Sequence, residues 1–138
     1  MKMENGDLII SMALVQSRLL KRIDSHLSVH GLSFSDFIVM HHLEQAEAKT
    51  MRRIDLAEAV GLSASGVTRL LNPMVKMKLV EKQANPRDAR VSLVKISSVG
   101  SRIYSEAALS FEIAADIFMK PLNSKKSQRL SKLMKALL

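Results

Sequence analysis

Between Ile54 and Met77 the chain carries two short amphipathic helices joined through a Gly-containing turn, and this pattern constrains the fold more than any other. Ile54, Leu56, Ala57 and Val60 give the first an apolar side, and Gly61 stops it. Ser63 reads as the N-cap of a second helix that runs through Val67, Leu70, Leu71, Met74 and Val75 to about Met77. Two helices joined by a Gly-containing turn of this length make a helix-turn-helix. The period then changes. Leu79 to Gln83 reads as a strand, Asn85-Pro86-Arg87-Asp88 as a turn, and Arg90 to Ser97 as a second strand with Val94 and Ile96 on one face and Val91 and Leu93 on the other. A hairpin directly after a helix-turn-helix is a wing.

The flanks are helical. Leu8, Met12, Val15, Leu19, Ile23 and Leu27 recur at steps of three and four, which makes one apolar stripe on a first helix that Gly31 ends. Ser33 with Asp36 reads as a capping box for a second helix carrying Phe37, Ile38, Met40 and Leu43, after which Gln45 to Lys49 turns the chain. Beyond the wing, Gly100 reads as punctuation, and Ile103, Ala107, Phe111, Ala114 and Phe118 mark a long helix that Pro121 ends. Asn123 or Ser124 caps a last helix with Leu130, Leu133, Met134, Leu137 and Leu138 on one face. The expected fold is mainly α with a small β-hairpin wing. It is one domain over residues 1–138, with a winged helix-turn-helix unit at about 34–97 and dimerisation helices at about 1–31 and 100–138. A winged core of about 60 residues buries too little surface to cover both outer stripes, so a homodimer through the first and last helices is expected.

Charge points to a partner. The 138 residues hold 21 Lys and Arg against 13 Asp and Glu, a formal net charge of +8. Residues 49 to 95 hold ten of the basic residues and four of the acids, so the winged segment alone carries +6. Clustered positive charge is what phosphate neutralisation needs. With aromatics at 4% and no Trp, the chain lacks the stacking platform of a single-strand binder. The absence of Cys excludes disulfides, thiolate metal sites and cysteine redox switches. Apolar runs are too short to span a bilayer, so no membrane association is expected. Met1 to Asp7 lacks the basic start and apolar block of a signal peptide, and a cytoplasmic location is expected. No phosphate loop, His-Glu-x-x-His or Gly-x-Ser-x-Gly motif is present, so no catalytic residue is assigned and no enzymatic activity is expected.

The run from Leu56 to Arg69, Leu-Ala-Glu-Ala-Val-Gly-Leu-Ser-Ala-Ser-Gly-Val-Thr-Arg, resembles the MarR family of transcriptional regulators. Gly31-Leu32-Ser33 through Phe37, Leu79-Val80-Glu81-Lys82, the Asp88-Ala89-Arg90 wing motif, and Ile96-Ser97 followed by Gly100 extend the resemblance over nearly the whole chain. The resemblance implies a homodimeric winged helix-turn-helix protein on pseudo-palindromic double-stranded operator DNA. It implies a repressor that releases DNA when an effector is sensed, here a small organic molecule of phenolic or aromatic kind, with no cofactor. It places Ser63, Ser65, Thr68, Arg69 and Asn72 on or at the cap of the recognition helix. Ser63 caps that helix, Arg69 reaches a guanine edge or a phosphate, and Asn72 has adenine, phosphate or solvent as partners. Arg90 would enter the minor groove, Asp88 would brace the wing, and Arg87 competes for the groove. Two features depart from the family. Ala89 stands where a basic residue is common, and Pro73 sits inside the recognition helix, where it removes an N–H and is expected to bend the axis.

Two other readings compete. A winged-helix module that binds protein has no need of the +6 segment. A metal-responsive regulator would use His26, His30, His41 and His42, of which the first two are spaced i, i+4 as in chelating pairs; metal ligation is the less expected role for all four.

Overall fold

Leucine and glycine placement governs how the helices end and where they meet. The computed structural model describes residues 4–138, so Met1 to Met3, which open both the first dimerisation segment and the stretch read against a signal peptide, lie outside the described residues. Helix α1 spans Glu4–Leu27, and a short 3-10 turn, Ser28–His30, carries the chain to Gly31. Helix α2 spans Phe34–Gln45 and starts in the expected capping box: Ser33 Oγ accepts from the Asp36 N–H and the Asp36 carboxylate from the Ser33 N–H. Strand β1, Thr50–Arg52, leads into α3, Arg53–Val60, and then α4, Ala64–Lys76. Strands β2, Val80–Asn85, and β3, Asp88–Ile96, precede α5, Ser98–Met119, and α6, Ser124–Leu137. No helix among the described residues is long and apolar enough to cross a membrane.

The fold is mainly α with a wing, as expected, but three local readings need correction. The wing is a three-stranded antiparallel sheet of order β1-β3-β2, not a lone hairpin. The extra strand follows the Gln45 to Lys49 turn, where Ala48 and Lys49 take positive φ of 53° and 54°. Three residues with no alternation gave no period to read. Thr50 to Arg52 become a strand because β3 offers them a free edge at Lys95 to Leu93. The hairpin turn is also shorter than expected: Asn85 and Asp88 pair with each other and leave Pro86 and Arg87 between the strands. Gly100, finally, does not punctuate. Helix α5 already begins at Ser98, with Ser97 as its N-cap.

What Gly100 does is permit contact. A Cβ there would lie 2.2 Å from the Leu79 carbonyl oxygen and 2.9 Å from a methylene of Ile96. The backbone oxygen cannot rotate away, so the glycine lets α5 press on the base of the wing. Gly100→Ala is expected to cost about 1–3 kcal/mol or more through overpacking. Thermal unfolding should register a fall of roughly 10 °C in Tm.

The core lies where α1's last turns, α2, α3, α4 and the sheet converge. Leu27, Val39, Met40, Leu43, Leu56, Val67, Leu71, Met74 and Val94 have no solvent-exposed surface. Phe37 stacks on Tyr104 at 5.1 Å and meets Phe111 at 4.6 Å, which joins α2 to α5. The outer helices contribute little to this core. Of its 24 residues α1 buries only Ile23 and Leu27, α5 buries only Gly100, Ala107 and Ala114, and α6 buries none.

Candidate nucleic-acid interface

Helix α4 is built to turn one face inward and another outward. Val67, Leu71 and Met74, at i, i+4 and i+7, are buried. Ser65, Arg69 and Asn72 repeat the same spacing on the opposite side and are exposed. Gly61 ends α3 at φ 72°, a left-handed conformation that costs other residues about 1–2 kcal/mol. Its neighbour Leu62 donates back to the Ala57 carbonyl at 2.9 Å, closing the turn between the two helices. Ser63 Oγ accepts from the Gly66 N–H at 3.0 Å and lies 3.2 Å from Ser65 Oγ. Its hydroxyl is therefore committed to the cap, as the sequence suggests. Pro73 leaves the Arg69 carbonyl without an i+4 donor, yet α4 continues through it, with the Met77 N–H donating to the Pro73 carbonyl at 3.0 Å.

The hydroxyl of Thr68 is half-buried and occupied. It donates to the Ala64 carbonyl at 3.0 Å and accepts from Arg53 Nη1, which also donates to that carbonyl at 3.3 Å. Asn72 is tied to the wing. Its Oδ1 accepts from Lys82 Nζ at 2.9 Å, so while that contact holds the amide cannot grip an adenine edge with both of its ends. Arg53 and Lys82, as partners of these two side chains, are the candidate-site residues that sequence reasoning missed. Neither lies on the recognition helix, and no spacing rule links position 53 to 68 or 82 to 72.

The wing presents Arg90. Ala84 pairs with Ser92 but Asn85 pairs with Asp88, so Ala89, Arg90 and Val91 bulge out of register. A bulge re-aims side chains, and the Arg90 side chain is 91% exposed. Asp88 holds its base. Its Oδ1 accepts from the Arg90 backbone N–H at 3.0 Å and from Nε at 3.2 Å, and its Oδ2 accepts from Nη2 at 3.4 Å. Asn85 Oδ1 accepts from the Arg87 N–H at 2.9 Å, which closes the turn and leaves the Arg87 side chain exposed.

The Arg90 guanidinium, and then the Arg90 N–H, hold the Asp88 carboxyl below its ordinary value. A depressed folded pKa means the brace is fully present above the unfolded value, about 4, and is lost only as pH falls through the lower folded value. The brace should therefore stay intact throughout the neutral range. A carboxyl NMR titration should show the Asp88 midpoint move up in Arg90→Ala.

Among the described residues, carboxylates reach three of the ten basic side chains between positions 49 and 95: Glu44 pairs with Lys49, Asp55 with Arg52, and Asp88 with Arg90. Arg53, Arg69, Lys76, Lys78, Lys82, Arg87 and Lys95 have no carboxylate within 4.0 Å among the described residues. Within this segment most of the basic side chains are thus free of ion pairs among the described residues.

Three of the histidines bond to separate partners, and the His41 and His42 rings lie 5.7 Å apart. His26 Nδ1 lies 3.0 Å from the Arg22 carbonyl, His30 Nε2 lies 2.7 Å from Ser110 Oγ, and His41 Nδ1 lies 2.7 Å from the Tyr104 hydroxyl. Burial, and then the neighbouring His41, lower the His42 pKa. No group of three or more metal-binding side chains assembles among the described residues. Between His26 and His30, α1 gives way to a 3-10 turn at Ser28.

Residues 30–91, from the end of the first helical segment into the wing, match the family model described as the MarR family. Solved structures resemble the chain along its length. A mutant MarR from E. coli complexed with operator DNA is 23% identical, with a TM-score of 0.89, covering 100% of this chain and 99% of that one. AbsC, a MarR family transcriptional regulator from Streptomyces coelicolor, is 20% identical, with a TM-score of 0.89 and coverage of 99% and 93%. A second Streptomyces coelicolor regulator of the family, in complex with DNA, is 16% identical, with a TM-score of 0.91 and coverage of 99% and 87%. No curated protein sequence matches the chain. The resemblance seen in the sequence is thus matched twice: residues 30–91 fit the MarR-family model, and the chain shares the fold of the similar structures along its length.

Proposed function

We propose that this chain, with its MarR-family segment and fold, is a sequence-specific double-stranded DNA-binding transcriptional regulator. In this reading it is a cytoplasmic homodimer that represses by occupying a pseudo-palindromic operator, and it has no enzymatic activity. One observation carries the reading. The outward face of α4, Ser65, Arg69 and Asn72, and the bulged Arg90 of the wing are exposed together on a segment rich in unpaired cations. A helix and a wing presented in this way suit a major groove and the adjoining minor groove. The similar structures crystallised with DNA support it.

Dimerisation brings two such units to two half-sites. Its support is the apolar surface that one chain leaves bare. Leu8, Met12 and Val15 on α1, Leu109, Ile113 and Ile117 on α5, and Leu130, Leu133, Met134 and Leu137 on α6 are all exposed in the single chain. An effector, a small organic molecule of phenolic or aromatic kind, would act beside these helices. An open groove of about 330 Å³ lies there, lined by Ser25, His26, Val29, Ser110 and Ile113, a size within the range of small-molecule sites.

Selecting bound duplexes from a random DNA pool tests the proposal. A two-fold pseudo-palindrome with half-sites about one helical turn apart is expected. A protein that retains no sequence, and whose binding to any duplex depends only weakly on salt, would exclude it.

A further inference from the structure

Thr68 stands on the second turn of the recognition helix, but its hydroxyl has little left to offer DNA. Its one proton goes to the Ala64 carbonyl, and one lone pair is taken by Arg53 Nη1. A phosphate needs a donor, and that donor is spent. Arg53 is held there for a physical reason. It is the first residue of α3, half-buried, with no carboxylate within 4.0 Å among the described residues, and α4 begins beside it with a carbonyl at Ala64 that it can reach. The adjacent Arg52, by contrast, is satisfied by both oxygens of Asp55.

We infer that Arg53 is a specificity-determining positioning residue of the DNA interface, one that acts through Thr68 and rests on the regulator reading above. By fixing the Thr68 hydroxyl against the backbone of α4 it withdraws that side chain from polar readout. Base discrimination in the first two turns then falls to Ser65 and Arg69. Removing the guanidinium releases one acceptor site on Thr68 and frees its rotor to leave the Ala64 carbonyl. The sequence preference of the protein is thereby set partly by a residue outside the recognition helix.

The test is a set of selections from a random duplex pool, with salt-titrated isotherms on the best site, for wild type, Thr68→Val, Arg53→Ala, Arg53→Lys and Arg53→Ala with Thr68→Val. Thr68→Val, which keeps the branched shape, should leave the selected sequence unchanged. Arg53→Ala should alter the selected base at one or two positions of each half-site, by about tenfold. Adding Thr68→Val should erase that new preference, and Arg53→Lys, which keeps donors and charge, should restore the wild-type pattern at least in part. A changed sequence in Thr68→Val alone would overturn the inference, since Thr68 would then read DNA directly. So would an Arg53→Ala protein that keeps the wild-type sequence and merely loses about one unit of salt slope per subunit, because Arg53 would then be a phosphate contact. The clamp itself is checked without DNA. In the free protein the Arg53 guanidinium protons should exchange slowly, and faster in Thr68→Val. If the protons are protected but wild type selects no sequence, the clamp stands, while the regulator reading and the role in specificity both fall. Unprotected protons in wild type would overturn the clamp whatever the selections show.

Discussion

Glutamate at both Leu133 and Leu137 is expected to abolish the dimer. Leu130, Leu133, Met134 and Leu137 follow one another at i, i+3, i+4 and i+7 along α6, and the single chain leaves all four exposed, Leu133 at 60% and Leu137 at 72%. A helix of 14 residues that buries none of them has no reason within its own chain to be where it is. Isolated helices of that length are marginal in water, so its order depends on what covers its apolar face. Burying a leucine contributes about 1.5–3 kcal/mol. Two leucines on each of two chains are then worth about 6 kcal/mol or more, which weakens association by over four orders of magnitude. Charge placed in a dry interface adds to the loss. Sedimentation or multi-angle scattering should report monomer, or aggregate where the exposed α1 and α5 stripes associate at random. Lys132→Glu, on the basic side of the same helix, is the control and should remain dimeric. A soluble Leu133→Glu, Leu137→Glu dimer would put the interface elsewhere.

Helix α6 illustrates what a sequence of this kind discloses. Its stripe has helical period and a cap, so its structure is readable without coordinates. The same holds for the capping box at Ser33 and Asp36, the stop at Gly61 and the cap at Ser63, where each signal is local and spans at most four residues. What escaped the sequence is tertiary. Strand β1 exists only because β3 has an edge to pair with, and Gly100 is required by the Leu79 carbonyl, 21 residues away in sequence. In the candidate interface, the outward positions of α4 and the Asp88–Arg90 brace came from the family resemblance. The engagement of Thr68 by Arg53 and of Asn72 by Lys82 did not, since each pair crosses between elements. Sequence reasoning could list the polar side chains on the helix but not which of them were already taken.

Arg69 and Arg90 should fail in different ways. Arg69 stands on the second turn of α4, exposed, opposite the buried Val67 and Leu71, with no acid within reach among the described residues. If the helix enters the major groove, its guanidinium meets base edges or a phosphate there. Arg69→Ala should then cost about 1–3 kcal/mol on the cognate site and relax preference at one base pair of each half-site. Arg90 projects from the bulge beside the tip of the wing, and in the proposed complex its expected partners there are the minor groove or the flanking phosphates. Arg90→Ala should weaken binding to every duplex, most where an A/T-rich flank narrows the minor groove, and should lower the salt slope by about one per subunit. Asp88→Ala separates charge from placement. It releases the Nε and Nη2 contacts at 3.2 and 3.4 Å without removing the cation, so affinity should fall less than in Arg90→Ala while the salt slope holds. Salt-titrated isotherms on cognate and scrambled duplexes distinguish the three variants. Unchanged base preference in Arg69→Ala would make that residue a phosphate contact. Wild-type affinity of Arg90→Ala for both duplexes would leave Asp88 and Arg90 as a brace for the wing alone.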